Sequence, residues 1–285
     1  MKISITGLNG YLGSLIAAAL KDKGHDVNGI NRALLYAPPA LLASALDKSE
    51  VVINLAGATV LQRWTKANKD EIYNSRVVTS KNLVAAINLL EEKDRPLLII
   101  SASAIGIYRA GAIHDESSMD FDAGFLGKVV LDWEKTLNEL PDNIKTTIFR
   151  IGPVLGRKSK TITNLKLPFQ LGLGGRIASG RQAFPFIHEK DLVKAFVWAI
   201  ETSQDGIFNL VAPEHISNID FTKNLAHLLH RPAILPVPAF ALRLIYGEAA
   251  SMLSESPLVL PKALIENGFQ FYFPDIYSSL QDILA

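Results

Sequence analysis

Gly7, Gly10 and Gly13 stand three residues apart in Ile3-Ser4-Ile5-Thr6-Gly7-Leu8-Asn9-Gly10-Tyr11-Leu12-Gly13, where a strand-like stretch gives way to a helix-like one. A diphosphate needs backbone it can approach closely, free N–H groups and the positive end of a helix dipole. A Cβ would obstruct the approach. The turn predicts a nucleotide site in which Gly7, Asn9, Gly10, Tyr11, Leu12 and Gly13 surround the diphosphate. A glycine triplet alone is weak evidence; its place at the head of a strand–turn–helix unit gives it weight. The end of the second strand selects the cofactor. An acidic residue there would bind the ribose 2′-hydroxyl of NAD. This chain has Asn31 and Arg32 instead. Asn31 brings no repelling carboxylate, and Arg32 can make charge-assisted bonds to a 2′-phosphate. NADP (as NADPH) is favoured over NAD.

The elements that must hold this turn alternate. Strands are expected at Lys2–Thr6, His25–Ile30, Val51–Leu55, Pro96–Ser101, Thr146–Ile151 and Gly206–Val211. Helices are expected at Leu12–Lys23, Pro38–Asp47, Asp132–Leu140 and Asp191–Glu201, with a long helical region from Thr65 to about Glu92 and a brief strand at Leu34–Tyr36. This alternation predicts an α/β protein, a Rossmann-type doubly wound parallel sheet. Leu171–Gly180 is glycine-rich and Ala212–Leu260 carries several prolines; late, irregular segments of this kind usually cover the carboxyl ends of the strands. Residues 1–159, continued by 188–211, read as the nucleotide-binding core, and 160–187 with 212–285 as a smaller substrate-binding lobe.

Composition narrows the function. With 29 basic and 28 acidic residues the formal charge is +1, which offers no footprint for nucleic acid or an anionic membrane. Absence of cysteine excludes disulfides and thiolate metal sites. His227 and His230 have i, i+3 spacing without a third ligand, so no metal is expected. No apolar run reaches bilayer length and the first residues lack a signal-peptide layout, so a cytoplasmic protein is expected, monomer or homodimer.

Further motifs carry a family resemblance. The Thr6-Gly7-x-x-Gly10-x-x-Gly13 spacing resembles that of the extended short-chain dehydrogenase/reductases. Asn54-Leu55-Ala56-Gly57, Ser101-Ala102-Ser103-Ala104, Arg150-Ile151-Gly152-Pro153 and Phe186-Ile187-His188-Glu189-Lys190-Asp191 are similar to that family's later signatures. Arg63-Trp64-Thr65, Asn74-Ser75-Arg76, Asp132-Trp133-Glu134, Gly180-Arg181-Gln182 and Pro261-Lys262-Ala263-Leu264 resemble its atypical nucleoside-diphosphate-sugar epimerase-like (YfcH-like) branch. The resemblance spans nearly the whole chain. It implies NAD(P)-dependent epimerase or reductase chemistry on a small substrate, a nucleotide sugar or a carbonyl compound. It also implies that Leu55, Ala56, Gly57, Ser101 and Arg150 join the cofactor site.

The family's usual proton relay is a tyrosine with a lysine four residues later, the lysine lowering the phenol's pKa. The residues four positions after the seven tyrosines are Leu15, Ala40, Val77, Ala112, Ala250, Ile276 and Gln281. None is lysine. Alignment on Glu134 puts Leu126 and Val130 at the two positions, and neither transfers a proton. Two readings follow. Ser103, Ser101 and Tyr108, with Lys128 nearby, take over the acid–base work; or the protein binds NADPH without turnover, as a sensor or regulatory protein. Trp64, Arg76, Arg181 and His188 are the candidate substrate contacts, with Arg181 best suited to grip a phosphate or carboxylate.

Overall fold

The computed structural model describes residues 1–46 and 48–285; Asp47, the last residue of one expected helix, lies outside the described residues. Six strands form one parallel sheet in the order β2-β1-β3-β4-β6-β9: β1 (Lys2–Thr6), β2 (Asp26–Ile30), β3 (Val51–Asn54), β4 (Leu98–Ala104), β6 (Lys145–Ile151) and β9 (Gly206–Leu210). The central strands are apolar on both faces because both faces are covered. Ile3, Ile5, Val51, Ile53, Ile100 and Phe149 pack on one side against α1 (Tyr11–Asp22) and α7 (Glu189–Glu201). Val52 and Ile99 face the opposite layer. That layer is built from α2 (Pro39–Leu46) and α4 (Thr79–Asn88), with α5 (Phe125–Lys135) against β4.

Helix α1 buries Gly13, Ile16, Ala17 and Leu20, one stripe at helical spacing. It ends where Gly24 takes φ +80° and the His25 N–H reaches back to the Leu20 carbonyl, a closure that favours glycine.

Four expectations change. Leu34–Tyr36 is a 3₁₀ turn, not a strand, because the Asn31 side chain accepts the Leu34 N–H at 3.0 Å and folds the chain back. Strand β4 continues three residues past Ser101, so both serines lie on it; pairing with β6 runs through Ser103↔Arg150 and Ala104↔Ile151. The helix expected at Asp132 starts at Phe125 behind Gly124. Its last expected residues form a 3₁₀ turn over Thr136–Glu139. Finally, the long region after Thr65 is α3 (Lys66–Tyr73), a π-turn over Asn74–Val78, then α4.

Two short strand pairs, β5 (Ile113–His114) with β10 (Leu258–Val259) and β7 (Val154–Leu155) with β8 (Ile187–His188), brace the late segments. A second apolar cluster gathers α6 (Lys160–Gln170), α8 (Asn218–Leu228) and α12 (Ile276–Leu284) around Phe169, Phe186, Phe221 and Leu280. Helices α9 (Ala239–Tyr246) and α10 (Ser251–Ser254) follow α8. Leu264 of α11 (Lys262–Glu266) and the nearby Phe269 return to the main core. Among the described residues, no helix is long and apolar enough to cross a membrane.

Candidate active site

The three glycines lie in the turn between β1 and α1. Gly7 has φ +71°, and a Cβ there would come within 3.0 Å of the Leu55 carbonyl. A Cβ on Gly13 would collide with the Gly7 carbonyl and lie 2.8 Å from Leu8 Cα. Gly10 caps α1 with no side chain and is exposed, as is Asn9. Tyr11, Leu12 and Gly13, none of them acidic, form the first helical turn. Close backbone, an uncapped helix start and the field of a 12-residue helix fit a dinucleotide diphosphate.

Thr6 anchors the neighbouring motif. Its hydroxyl donates to Asn54 Oδ1 at 2.8 Å and accepts the N–H groups of Leu55 and Ala56 at 3.0 and 3.1 Å. Asn54 Nδ2 donates to Ser80, which also accepts the Trp133 indole N–H, both at 2.8 Å. This chain joins β1, β3, α4 and α5 and sets the height of Leu55–Gly57 beside the turn. At the end of β2, Asn31 is committed to Leu34, while Arg32 is exposed with Glu71 at 3.4 Å. Such a surface pair is worth about 0–1 kcal/mol, a small cost for a competing anion.

The other strand ends form a second network. Ser103 of β4, Arg150 of β6 and Asn209 of β9 share one register row. Ser103 donates its hydroxyl to the Glu134 carboxylate. Arg150 grips the same carboxylate through two bonds, Nε at 2.9 Å and Nη2 at 2.7 Å. Its Nη1 donates to the Tyr108 oxygen at 2.8 Å, and Tyr108 donates to Asn209 Oδ1 at 2.8 Å. Burial works against the charge on Arg150, but Glu134 outweighs it and holds the guanidinium above its ordinary pKa. Burial likewise raises the Tyr108 phenol, the nearby Arg150 charge working the other way.

The sequence candidates therefore separate. Ser103 is 5% exposed and heads the network; Ser101, 1% exposed, donates locally to the Ala102 carbonyl. Tyr108 is buried, stacked 4.8 Å from His114, with its hydroxyl enclosed, so it offers no free phenol to a ligand. Arg150 is equally enclosed by Glu134 and Tyr108. Lys128 is exposed. Leu126 is half-buried, and Val130 packs with Ile105, Tyr108 and Val211, which leaves no ionisable group at either relay position.

Of the expected substrate contacts, Trp64 is half-buried and meets Phe125 edge-on at 5.2 Å. Arg76 lies against Gly57: a Cβ there would come 3.0 Å from its Cζ and Nη2. Arg181 is exposed beyond a turn at Gly180, φ +71°. His188 does not line the cleft. It is fully buried, tilted 3.9 Å from the Phe273 ring, with Nδ1 accepting the Lys190 N–H and Nε2 3.3 Å from Asp282. His188 thus caps α7, and the Asp191 carboxylate accepts the N–H groups of Tyr272 and Phe273 at 2.6 and 2.9 Å. Sequence reasoning overlooked Glu134, Ser80, Asn209 and Glu189 as network members. Only Asn209 carried a visible signal, a polar residue near the end of an apolar strand; Ser80, Glu134 and Glu189, the last of which accepts the Tyr11 hydroxyl, lie on helices α4, α5 and α7. Among the described residues, no group of three His, Asp or Glu side chains is arranged to hold a metal.

The sequence and the fold both have known relatives. The mouse epimerase family protein SDR39U1 is 34% identical over 297 residues, covering all of both chains. The Bacillus subtilis epimerase family protein YfhF is 31% identical over 301 residues, covering 100% of this chain and 98% of the relative. The crystal structure of human SDR39U1 (isoform 2) with NADPH superposes with a TM-score of 0.92 at 31% identity, covering 99% of each chain. A dTDP-4-dehydrorhamnose reductase from Clostridium acetobutylicum, at 20% identity and a TM-score of 0.78, shares the fold. Residues 237–283 match a domain of unknown function, DUF1731. Residues 3–210 match the NAD dependent epimerase/dehydratase family, to which this chain belongs.

Proposed function

We propose that the protein is an NADP(H)-dependent oxidoreductase or epimerase acting on a small hydroxyl- or carbonyl-bearing substrate through a non-standard site. The observation that carries this reading is Ser103, tied to the Glu134–Arg150 pair at the same carboxyl edge of the sheet as the glycine turn. Gly7, Asn9, Gly10, Tyr11, Leu12 and Gly13 would hold the diphosphate, and Leu55, Ala56 and Gly57 the adjoining ribose. Arg32 would exchange Glu71 for the 2′-phosphate, with Asn31 beside it. The NADPH bound by the human relative supports the same choice. Bound nicotinamide supplies two-electron redox chemistry at the strand ends.

Ser103 orients the substrate. Its single hydrogen is committed to a carboxylate, so its oxygen is left as an acceptor. It therefore receives a hydrogen bond from a substrate hydroxyl more readily than it donates one to a carbonyl. Without the Tyr–Lys relay, turnover is expected about 10²–10⁴-fold below that of enzymes that possess one.

Thermal shift tests the cofactor: NADPH at about 100 times its Kd should stabilise the fold by about 2.7 kcal/mol, and NADH by less. Greater stabilisation by NADH would refute the role of Arg32. NADPH oxidation over a panel of carbonyl compounds, with isotope exchange for epimerisation, tests turnover; its loss in Ser103→Ala supports an enzyme. The second reading, an NADPH-binding regulatory protein, is favoured by Leu126 and Val130. It requires that both assays stay silent while NADPH binds.

A further inference from the structure

Arg76, one of the substrate contacts expected from the sequence, is a largely buried cation. Its guanidinium donates from Nη2 to the Ala58 carbonyl at 3.0 Å and from Nη1 to the Ile72 carbonyl at 3.3 Å. A guanidinium has five N–H donors, so most of its bonding capacity is left over. Among the described residues, no carboxylate pairs with it, whereas Arg150 one layer away is held by Glu134 and Lys69 by Glu248. Burial alone lowers its pKa, to about 10, with no acidic neighbour to offset the cost.

Three features hold this cation beside the end of β3. It rides on the five-residue π-turn Asn74–Val78, an irregularity found mainly at functional sites. Its Cζ lies 5.5 Å from the centre of the Trp133 ring, whose indole N–H donates to Ser80. Its edge opens onto exposed Gly57, which follows β3 next to the Ser103 strand. In the proposed cofactor pose the diphosphate has the α1 turn and the 2′-phosphate has Arg32, so neither phosphate needs Arg76.

We infer that Arg76 receives an oxyanionic group of the substrate, a carboxylate or a phosphate, so that the substrate is a hydroxy or oxo acid or a phosphate ester. This rests on the dinucleotide reading of the site. The anion fixes one end of the substrate at Gly57, and Ser103 accepts from its hydroxyl at the other. A forked guanidinium matches a planar or tetrahedral oxyanion through two bonds.

The test uses the full chain saturated with NADP⁺ and follows melting temperature with matched probes: L-lactate against lactamide, and glycerol 3-phosphate against glycerol. In the native protein, the acid of at least one pair should raise the melting temperature above its neutral partner. The pair that responds distinguishes carboxylate from phosphate. Arg76→Gln should abolish that difference while keeping the shift produced by NADP⁺. Arg76→Lys, which keeps charge but not the fork, should retain only part of the difference, and it carries the test if the glutamine variant does not fold. Acids and neutral partners acting alike on the native protein would overturn the inference. So would loss of the NADP⁺ shift in a folded Arg76 variant, which would make Arg76 a cofactor residue. A native protein that shows no NADP⁺ shift at all fails one step earlier, at the dinucleotide site.

Discussion

Arg150 and Glu134 have side chains 4% and 12% exposed, and each satisfies charge that the other would leave stranded. Breaking such a pair from one side costs about 3–5 kcal/mol, because an uncompensated charge stays buried. Arg150→Met should therefore lower the unfolding free energy measured by chemical denaturation by that amount, whereas Glu134→Gln, which keeps an acceptor for Ser103, should cost less. A cost for Arg150→Met below about 1 kcal/mol would show that the pair is solvated. Little of this network was legible in the sequence. Ser103 and Glu134 are 31 residues apart, and Tyr108 and Asn209 are 101 apart. Pattern reading sees side chains along one strand or helix, and these meet only through the register Ser103↔Arg150↔Asn209. Tyr108 was misjudged for the same reason: its type suggested chemistry, but partners on β6 and β9 enclose it.

At the scale of elements, the glycine turn was the most legible feature, because its constraint is local. Gly13 has no room for one more carbon against Gly7 and Leu8. Gly13→Ala should destabilise by about 1–3 kcal/mol through overpacking and displace the first turn of α1. NADPH affinity measured by calorimetry should fall at least about tenfold, an effect worth ~1.4 kcal/mol. An unchanged Kd would place the diphosphate elsewhere. The start of α5 was not legible, because Gly124 caps it without a side-chain bond and the usual Ser, Thr, Asp or Asn signal is missing. The π-turn was equally hidden: it leaves the apolar spacing intact and only shifts its phase, so Thr65–Glu92 looked continuous.

Over the whole molecule, the Phe186–Asp191 motif works as a joint rather than as cleft lining. His188 and Lys190 meet Asp282 of α12, and Asp191 holds the backbone at Tyr272 and Phe273. Burial lowers the pKa of His188 below its ordinary 6.5. The unfolded chain therefore takes up this proton first as pH falls. The stabilisation is complete above about pH 6.5 and is lost between there and the lower folded value. Melting temperature should drop between pH 7.5 and 5, and His188→Gln should flatten that drop. Asp282, held low chiefly by Lys190, acts only below about pH 4. Asp191, raised by burial, works in the opposite sense but is common to both proteins. Parallel pH profiles would rule out His188 as the source. Removing α12 should be more severe. Ile276, Leu280 and Ile283 are each at most 5% exposed, and burying each contributes about 1.5–3 kcal/mol. Together they approach the total stability of an ordinary domain, so a chain ending at Pro274 should fail to show a cooperative melt.

Glu189 stands in the same joint, yet it reaches the other way. One carboxylate oxygen takes the Tyr11 hydroxyl and the other faces the Arg157 N–H, in a space left open because residue 156 is glycine. Tyr11 opens the helix whose amino end would carry the dinucleotide. A kinetic survey of variants would therefore meet a false lead at this position. Glu189→Gln would raise the Michaelis constant for the coenzyme while sparing the maximal rate, and a substitution remote from the reacting carbon would look like a damaged binding residue.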